Sequence, residues 1–372
     1  MDNNLRTEHS RNEQETSGAD VRHDRAPRFT ARSASRSRLR HAKVPEKRVR
    51  IQPPLVSIVT PAYNEEEHLA ACIESVLEQT YSNWDYTIVN NRSTDKTLEI
   101  ANAYAAKDPR IRVITNHTFV PALANLNIAF RQISPASKYS KMVLADDWIF
   151  PECLERMVAV MEEHASVGIV GAYGLKDPWV LWTGLPYDSH VVSGREICRQ
   201  RLLGGPYVFG SPTSVLIRSE LVRRQDPFYN ESNVAADSEA CFTLLKNTDF
   251  GFVHQVLTFS RERPNSRLEE SRQLNTEAAG ILHELVAYGP HYLTPDEYSQ
   301  RLETTVSKYY EFLAANIVPR RRNEFWTYHK EQLQREGIGF SRLSLARAFI
   351  SRVVSRLFGI FRPPKRRESW GL

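Results

Sequence analysis

The sequence predicts an α/β fold, a mostly parallel sheet flanked by helices and followed by a helical C-terminal extension. Three observations carry that prediction. Short apolar runs alternate with stretches of 3.6-residue apolar period between residues 55 and 173. The links between them are short, as in a parallel sheet wrapped by helices. The chain, at 372 residues, is long enough to bury one large core or two modest ones.

The elements follow in order. Leu55–Thr60 reads as a buried strand and Pro61–Asn64 as a turn. A helix spans about Glu65–Gln79, with Leu69, Cys72, Ile73, Val76 and Leu77 on one face. Tyr86–Asn90 is a second strand and Asp95–Ala106 a second helix. Ile111–Thr115 and Pro121–Ile133 form the third pair, and Lys141–Ala145 with about Pro151–His164 the fourth. Val167–Tyr173 adds a strand. Beyond 175 the pattern loosens, with a helix over Asp237–Lys246 and a strand over Phe250–Phe259. From about 269 the chain is mainly helical. Thr294-Pro-Asp-Glu297 spells a capping box with proline at the first helical position.

The two ends differ from this body. Residues 1–52 are too poor in apolar side chains to offset their ordering entropy and read as a disordered basic tail. Ser341–Arg362 sets Leu343, Ala346, Ile350, Val353, Leu357, Phe358 and Phe361 at helical spacing. Arg342, Arg347, Arg352, Arg356 and Arg362 stand between them. Such a basic amphipathic helix lies on an anionic membrane surface or packs on the body or a partner. An apolar stripe alone does not separate these outcomes. The expected divisions are therefore 1–52, 53–268, 269–340 and 341–372.

Charge follows the same divisions. Residues 1–50 carry +6, 51–341 carry −8 and 342–372 carry +7. An acidic body argues against a nucleic-acid-binding core. Cys72, Cys153, Cys198 and Cys241 are widely spaced, which fits neither a zinc site nor a disulfide framework and points to a reducing, cytoplasmic setting. No uncharged apolar run reaches 18 residues, and the N-terminus has no signal-peptide core. The sequons at Asn91, Asn116 and Asn230 then carry little weight.

In an open parallel sheet, ligands bind beyond the carboxyl ends of the strands. Thr60-Pro-Ala-Tyr-Asn-Glu-Glu66 follows the first strand, Asn90-Asn-Arg-Ser-Thr-Asp95 the second and Asp146-Asp147-Trp148 the fourth. Three polar clusters therefore converge on one edge. Two adjacent carboxylates at a strand end suit a hard divalent cation shared with substrate phosphates. The alternative is that one of them caps the next helix. Ser93, Thr94 and Asp95 read as caps of the second helix.

Val56-Ser-Ile-Val-Thr-Pro-Ala-Tyr-Asn-Glu-Glu66, the Asn-Asn-Arg-Ser-Thr-Asp-Lys-Thr stretch at 90–97 and Leu144-Ala-Asp-Asp-Trp148 together resemble the family 2 glycosyltransferases. The resemblance runs through about residues 55–268. Gly210–Arg218 is similar to the family's acceptor-side segment, Ala236-Asp-Ser-Glu239 to its catalytic-base motif and Phe259–Ser266 to its closing Arg-x-His-Pro stretch. The resemblance implies a Rossmann-like GT-A fold and inverting transfer from a UDP-, GDP- or dTDP-sugar to a saccharide or lipid-linked acceptor. Thr60, Ala62, Tyr63 and Glu65 would then line the nucleoside pocket. Asn91 stands where an aspartate usually contacts the base, and Asn125 near the diphosphate sugar. Asp146 and Asp147 would hold Mg²⁺ or Mn²⁺, Asp147 as the more direct ligand. Asp237 would be the general base, with Glu239 a weaker candidate. By analogy, such enzymes build polysaccharide or glycolipid at the inner membrane face.

The departures are specific. Asn90-Asn91-Arg92-Ser93 replaces the usual Asp-Asp-Gly-Ser turn, and Arg92 makes it less permissive than glycine would. Arg263 replaces the usual histidine, so no metal-ligating histidine is carried over. His254 reads as structural. Arg261 and Arg263 read either as diphosphate ligands or as surface ion-pair partners. A sugar nucleotidyltransferase would share the scaffold, but no Gly-rich phosphate loop is present. A non-catalytic sugar-nucleotide binder is the other alternative, favoured by Asn90-Asn91 and opposed by Asp146, Asp147 and Asp237.

Overall fold

The first strand, β1 (Val56–Ala62), is buried along its whole length and pairs in parallel on both sides. Its neighbours are β2 (Trp84–Asn90) and β4 (Tyr139–Met142), and β2 pairs in parallel with β3 (Ile111–Thr115). The computed structural model describes residues 52–176, 178–233, 235–261, 274–319 and 321–357. The predicted tail over 1–52, Gln52 apart, and the end of the chain beyond 357 lie outside those residues.

The sheet is mixed rather than wholly parallel. β9 (Leu216–Arg218) enters antiparallel between β4 and β6 (Val167–Lys176). β10 (Asp249–Phe259) then pairs in parallel with β6 and antiparallel with β5 (Trp148–Ile149), giving the order β3-β2-β1-β4-β9-β6-β10-β5. β7 (Trp179–Leu181) and β8 (Val191–Val192) attach to β6 and β10. The three-residue β9 and two-residue β5 are too short to show a period-2 pattern, so the sequence does not announce them.

Strand alternation assigns each side chain of β1 to a face. Val56, Ile58 and Ala62 point to the layer formed by α1 (Leu69–Leu77), α2 (Thr97–Ala105) and α4 (Cys153–Glu163). Val59 points to the other layer, with α3 (Ala122–Phe130), α5 (Gly194–Leu202) and α7 (Ala236–Leu244). A short helix, α6 (Ser219–Arg223), follows β9.

Four helices follow, and the first faces two ways. α8 (Glu277–Tyr292) places Leu285, Tyr288 and Tyr292 in the sheet core, with Tyr288 stacked on Phe242 at 4.9 Å. Its Ala279 and Leu282 join Tyr309, Leu313, Phe325 and Leu333 in a separate apolar cluster. That cluster is built with α9 (Pro295–Ala315) and α10 (Asn323–Arg335). The predicted capping box is present: Thr294 Oγ1 accepts from the Glu297 N–H while the Glu297 carboxylate accepts from the Thr294 N–H. The last helix, α11 (Arg342–Leu357), packs through Leu345 and Ala348. Leu343 and Ile350, each 60% exposed, and the exposed Ala346, Val353 and Val354 form a different stripe. Among the described residues, the stripe read from the sequence, Leu343 to Val353, is thus the one facing solvent.

Candidate active site

The carboxyl ends of β1, β2, β3 and β4 open onto one cavity of about 530 Å³. Pro61 enters it from the end of β1, Tyr63 and Glu65 from the turn after β1, Asn91 from that after β2 and Phe119 from that after β3. Asp146 enters from the turn after β4, and Asp237 from the first turn of α7. Of the residues singled out in the sequence, Tyr63, Glu65, Asn91, Asn125, Asp146 and Asp237 therefore line one space.

Three do not. Thr60 is fully buried on the α1 face, where its hydroxyl bonds Tyr86 Oη at 2.8 Å and donates to the Val143 carbonyl at 2.7 Å. Ala62 lies on the same face of β1. Strand alternation hands the cavity positions to Pro61 and Tyr63 instead. Asp147 is 4% exposed, and both its oxygens are occupied. Oδ2 accepts from Thr213 Oγ1 at 2.6 Å and from Ser260 Oγ at 3.4 Å, and Oδ1 accepts from the Arg261 N–H at 3.1 Å. Consecutive residues of this tight turn face opposite ways, so Asp146, not Asp147, is the carboxylate that lines the cavity.

Asparagine chemistry organises the side of the cavity next to β2 and β3. Asn91 Nδ2 donates to the Val120 carbonyl at 2.8 Å, and Asn91 Oδ1 accepts from the Val120 N–H at 3.0 Å. Asn116 Nδ2 bridges Asn91 Oδ1 and Asn125 Oδ1, at 2.9 Å each. An aspartate at 91 would lack the donor to Val120, so asparagine is the residue type that holds both the N–H and the carbonyl of Val120. The clamp fixes the loop carrying Phe119. Phe119, 58% exposed, meets Tyr63, 43% exposed, with ring centroids 4.8 Å apart. The sequence reading missed Phe119 and Tyr229, because nothing local marks them as neighbours of the strand ends, whereas Pro212 belongs to the segment 210–218 already singled out.

The turns themselves are tied together. Asn64 Oδ1 accepts from the Thr94 N–H at 2.8 Å, and Asp95 accepts from the N–H groups of Glu66 and Thr97, both at 3.0 Å. Of the three residues read as caps of the second helix, only Asp95 meets the helix start, through the Thr97 N–H; Ser93 and Thr94 bond Asn64 of the β1 turn instead. Arg92 adopts φ 61°, the left-handed conformation that glycine takes most easily. His254 is also structural, bonding Tyr173 Oη at 2.8 Å and the Ser189 carbonyl at 3.1 Å. The Arg261 guanidinium sits 5.5 Å over Trp148, with no carboxylate partner among the described residues. Arg263 lies outside them.

The two carboxylates of interest differ from ordinary ones. Burial, with the Asp146 charge adding to it, raises Asp147 above the usual carboxylate range. Burial also pushes Asp237 up to about 6, against the lowering effect of the Ser238 N–H at 2.9 Å. Glu239 is held by Asn233 Nδ2 at 2.7 Å and by Asn230, and it does not line the cavity. Among the described residues no cluster of three or more His, Cys, Asp or Glu is placed to hold a metal ion. The one carboxylate of the acidic turn open to the cavity is Asp146, while Asp147, the more direct ligand in the sequence reading, is turned onto Thr213, Ser260 and the Arg261 N–H. One open carboxylate fits a hard cation such as Mg²⁺, which takes one or two carboxylates and completes its shell with phosphate and water.

The family model for glycosyl transferase family 2 matches residues 57–224, the segment that builds β1 to α6 and most of the cavity wall. Over residues 57–224 the chain is thus similar to the family 2 glycosyltransferases. Among curated relatives, EpsE of Bacillus subtilis strain 168 is 40% identical over 158 residues, covering 40% of this chain and 56% of EpsE. EpsJ of the same organism, an uncharacterized glycosyltransferase, is 36% identical over 230 residues, covering 58% of this chain and 63% of EpsJ. The chain thus spans between half and two thirds of these relatives. A crystal structure of S. aureus TarS 1–349 in complex with UDP-GlcNAc superposes with a TM-score of 0.58 at 18% identity, covering 83% of this chain and 93% of that one. This likeness extends the GT-A fold beyond the family 2 match, through the helices that follow it.

Proposed function

We propose that the protein is an inverting, metal-dependent glycosyltransferase that moves a sugar from a nucleotide-sugar donor to a hydroxyl acceptor. One observation carries this reading: Asp146 and Asp237, about 90 residues apart in sequence, line the same cavity as an exposed aromatic pair. Tyr63 and Phe119 offer apolar faces to a nucleobase, and the Asn91–Val120 clamp keeps Phe119 in place. Asp146, backed by Asp147, would hold the cation beside the donor diphosphate. A divalent cation there supplies charge neutralisation for the leaving phosphates.

Asp237 is the candidate base. Its carboxylate takes the proton of the acceptor hydroxyl as the acceptor oxygen forms a bond to the anomeric carbon. The bond from that carbon to the diphosphate oxygen breaks, and the nucleoside diphosphate leaves with the electron pair. Attack from the face opposite the leaving group inverts the centre. A base pushed up to about 6 is better matched to an alcohol proton than an ordinary carboxylate and is still ionised at neutral pH.

TarS is described bound to UDP-GlcNAc, which favours a UDP-sugar as the first donor to test. The division at 268/269 and a membrane-facing role for 341–362, at the inner face of the cell membrane, belong to the same proposal. The solvent-facing stripe of Leu343, Ile350 and Val353 supports the latter. No described helix is long and apolar enough to cross a membrane. The deciding experiment is a thermal-shift screen of nucleotide sugars with Mn²⁺ or Mg²⁺, followed by donor hydrolysis without acceptor. Stabilisation by one donor with slow, cation-dependent release of nucleoside diphosphate supports the enzyme. Stabilisation without any turnover, acceptors included, would leave a binding protein.

A further inference from the structure

A second cavity, of about 840 Å³, lies between the end of α5, α8, α9 and α11, and none of the site residues above lines it. Its wall carries Arg201, Arg301, Lys308 and Arg352 against Glu284 and Glu311, an excess of two positive charges. Arg201 is committed to Glu284 through a 3.2 Å ion pair, with both side chains nearly inaccessible. Arg301 is only partly committed. Its Nε donates to the Leu202 carbonyl at 2.8 Å, while neither Nη finds a partner among the described residues.

The local backbone is shaped around that guanidinium. Gly204 has φ +98°, and a Cβ there would stand 2.9 Å from Arg301 Nη2. The positive φ is the condition that favours glycine, and its missing Cβ leaves room for the guanidinium. Burial and the Arg201 charge also lower the proton affinity of Arg301, so two guanidinium groups share this pocket at a cost that an anion would relieve. An independent observation points the same way. Thr305, 4% exposed, belongs to the wall, and its Oγ1 has no hydrogen-bond partner among the described residues. A buried hydroxyl without a partner is a donor waiting for an acceptor.

We propose that this cavity is a binding site for a phosphate group, held by Arg301, Lys308 and Arg352 with Thr305 as a neutral donor. A phosphate offers several acceptor oxygens and at least one negative charge, the complement of forked guanidinium donors. Either a soluble phosphate or a phospholipid headgroup presents this chemistry. Arg352 lies on α11, the helix whose apolar stripe faces solvent, so both sources reach the site.

The test uses the full chain. Inorganic phosphate is titrated by thermal shift and calorimetry in saturating UDP, against chloride at matched ionic strength. Arg301→Gln and the exposed Arg352→Gln are compared with wild type. Wild type should bind phosphate in preference to chloride, and each variant should bind it about ten-fold less tightly, the loss of one charge-assisted hydrogen bond. Flotation with phosphatidylglycerol against phosphatidylcholine vesicles then assigns the source. Loss of phosphatidylglycerol capture in Arg301→Gln identifies a headgroup, and unchanged capture with lost phosphate affinity identifies a soluble phosphate. Phosphate binding no tighter than chloride, or equal in wild type and both variants, overturns the proposal. Arg352→Gln keeps the test decisive should Arg301→Gln fail to fold, because Arg352 is exposed.

Discussion

Thr213 Oγ1 donates to Asp147 Oδ2 at 2.6 Å and accepts from the Leu144 N–H at 3.1 Å. One buried hydroxyl thus ties the acidic turn after β4 to the segment that opens β9. The Thr213 carbonyl in turn accepts from the buried Lys141 Nζ at 2.6 Å. Thr213→Val keeps the shape and removes the hydrogen bonds, leaving a buried carboxylate short of a donor. Stability should fall by about 1–3 kcal/mol. Nucleotide-sugar affinity should fall with it, because Asp146 sits on the same turn. Urea denaturation and donor titration check both, and unchanged values would show that the turn holds itself.

Asp237→Asn removes the base and keeps the volume. Donor affinity should stay within about three-fold while transfer falls by about 10²–10⁴. Retained turnover would sink the base assignment.

The pH profile follows from the same residue. Only the ionised carboxylate accepts a proton, so transfer should be lost as pH falls through about 6. The stability effect has the opposite sign. A carboxyl raised in the folded state favours folding when protonated, so this contribution is fully present below its ordinary range near 3.8 and lost as pH rises through about 6. A rate profile flat from pH 5 to 8, with an intact fold, would point to another base.

Asp146→Ala should abolish the cation dependence of nucleotide binding. The comparison is wild type and variant, each with Mg²⁺ and with EDTA. If EDTA leaves wild-type affinity unchanged, the acidic pair does not hold a metal.

Phe119→Ala removes half of the aromatic pair at the cavity mouth. Stacking of a base on an aromatic ring contributes about 1–3 kcal/mol, so nucleotide affinity should fall at least five-fold. Affinity within two-fold of wild type would place the base elsewhere.

Much of the first half of the fold was legible because its signals are local. β1 to α4 repeat one strand-helix grammar, and each predicted element lies within a few residues of the observed one. The polar clusters after three strand ends were legible too, since topology alone sends them to one edge. What remained hidden depends on contacts between distant segments. β9, only three residues long, exists because β4 and β6 leave a gap that it fills antiparallel. Phe119 and Tyr229 have no motif of their own.

Residue type and spacing by themselves determined the α/β class, the acidic pair at the end of the fourth strand, the lone Asp237 and the arginine-rich helix at the end. Tertiary structure decided which atoms face the ligand. Strand alternation turned Thr60 and Ala62 into the core and left Pro61 and Tyr63 on the cavity. A tight turn sent Asp146 into the open and Asp147 onto Thr213. Packing of α11 through Leu345 left Leu343 and Ile350 in solvent. In each case neighbouring residues of similar chemistry were divided by the direction in which the backbone points them, and that direction is set by partners far away in the chain.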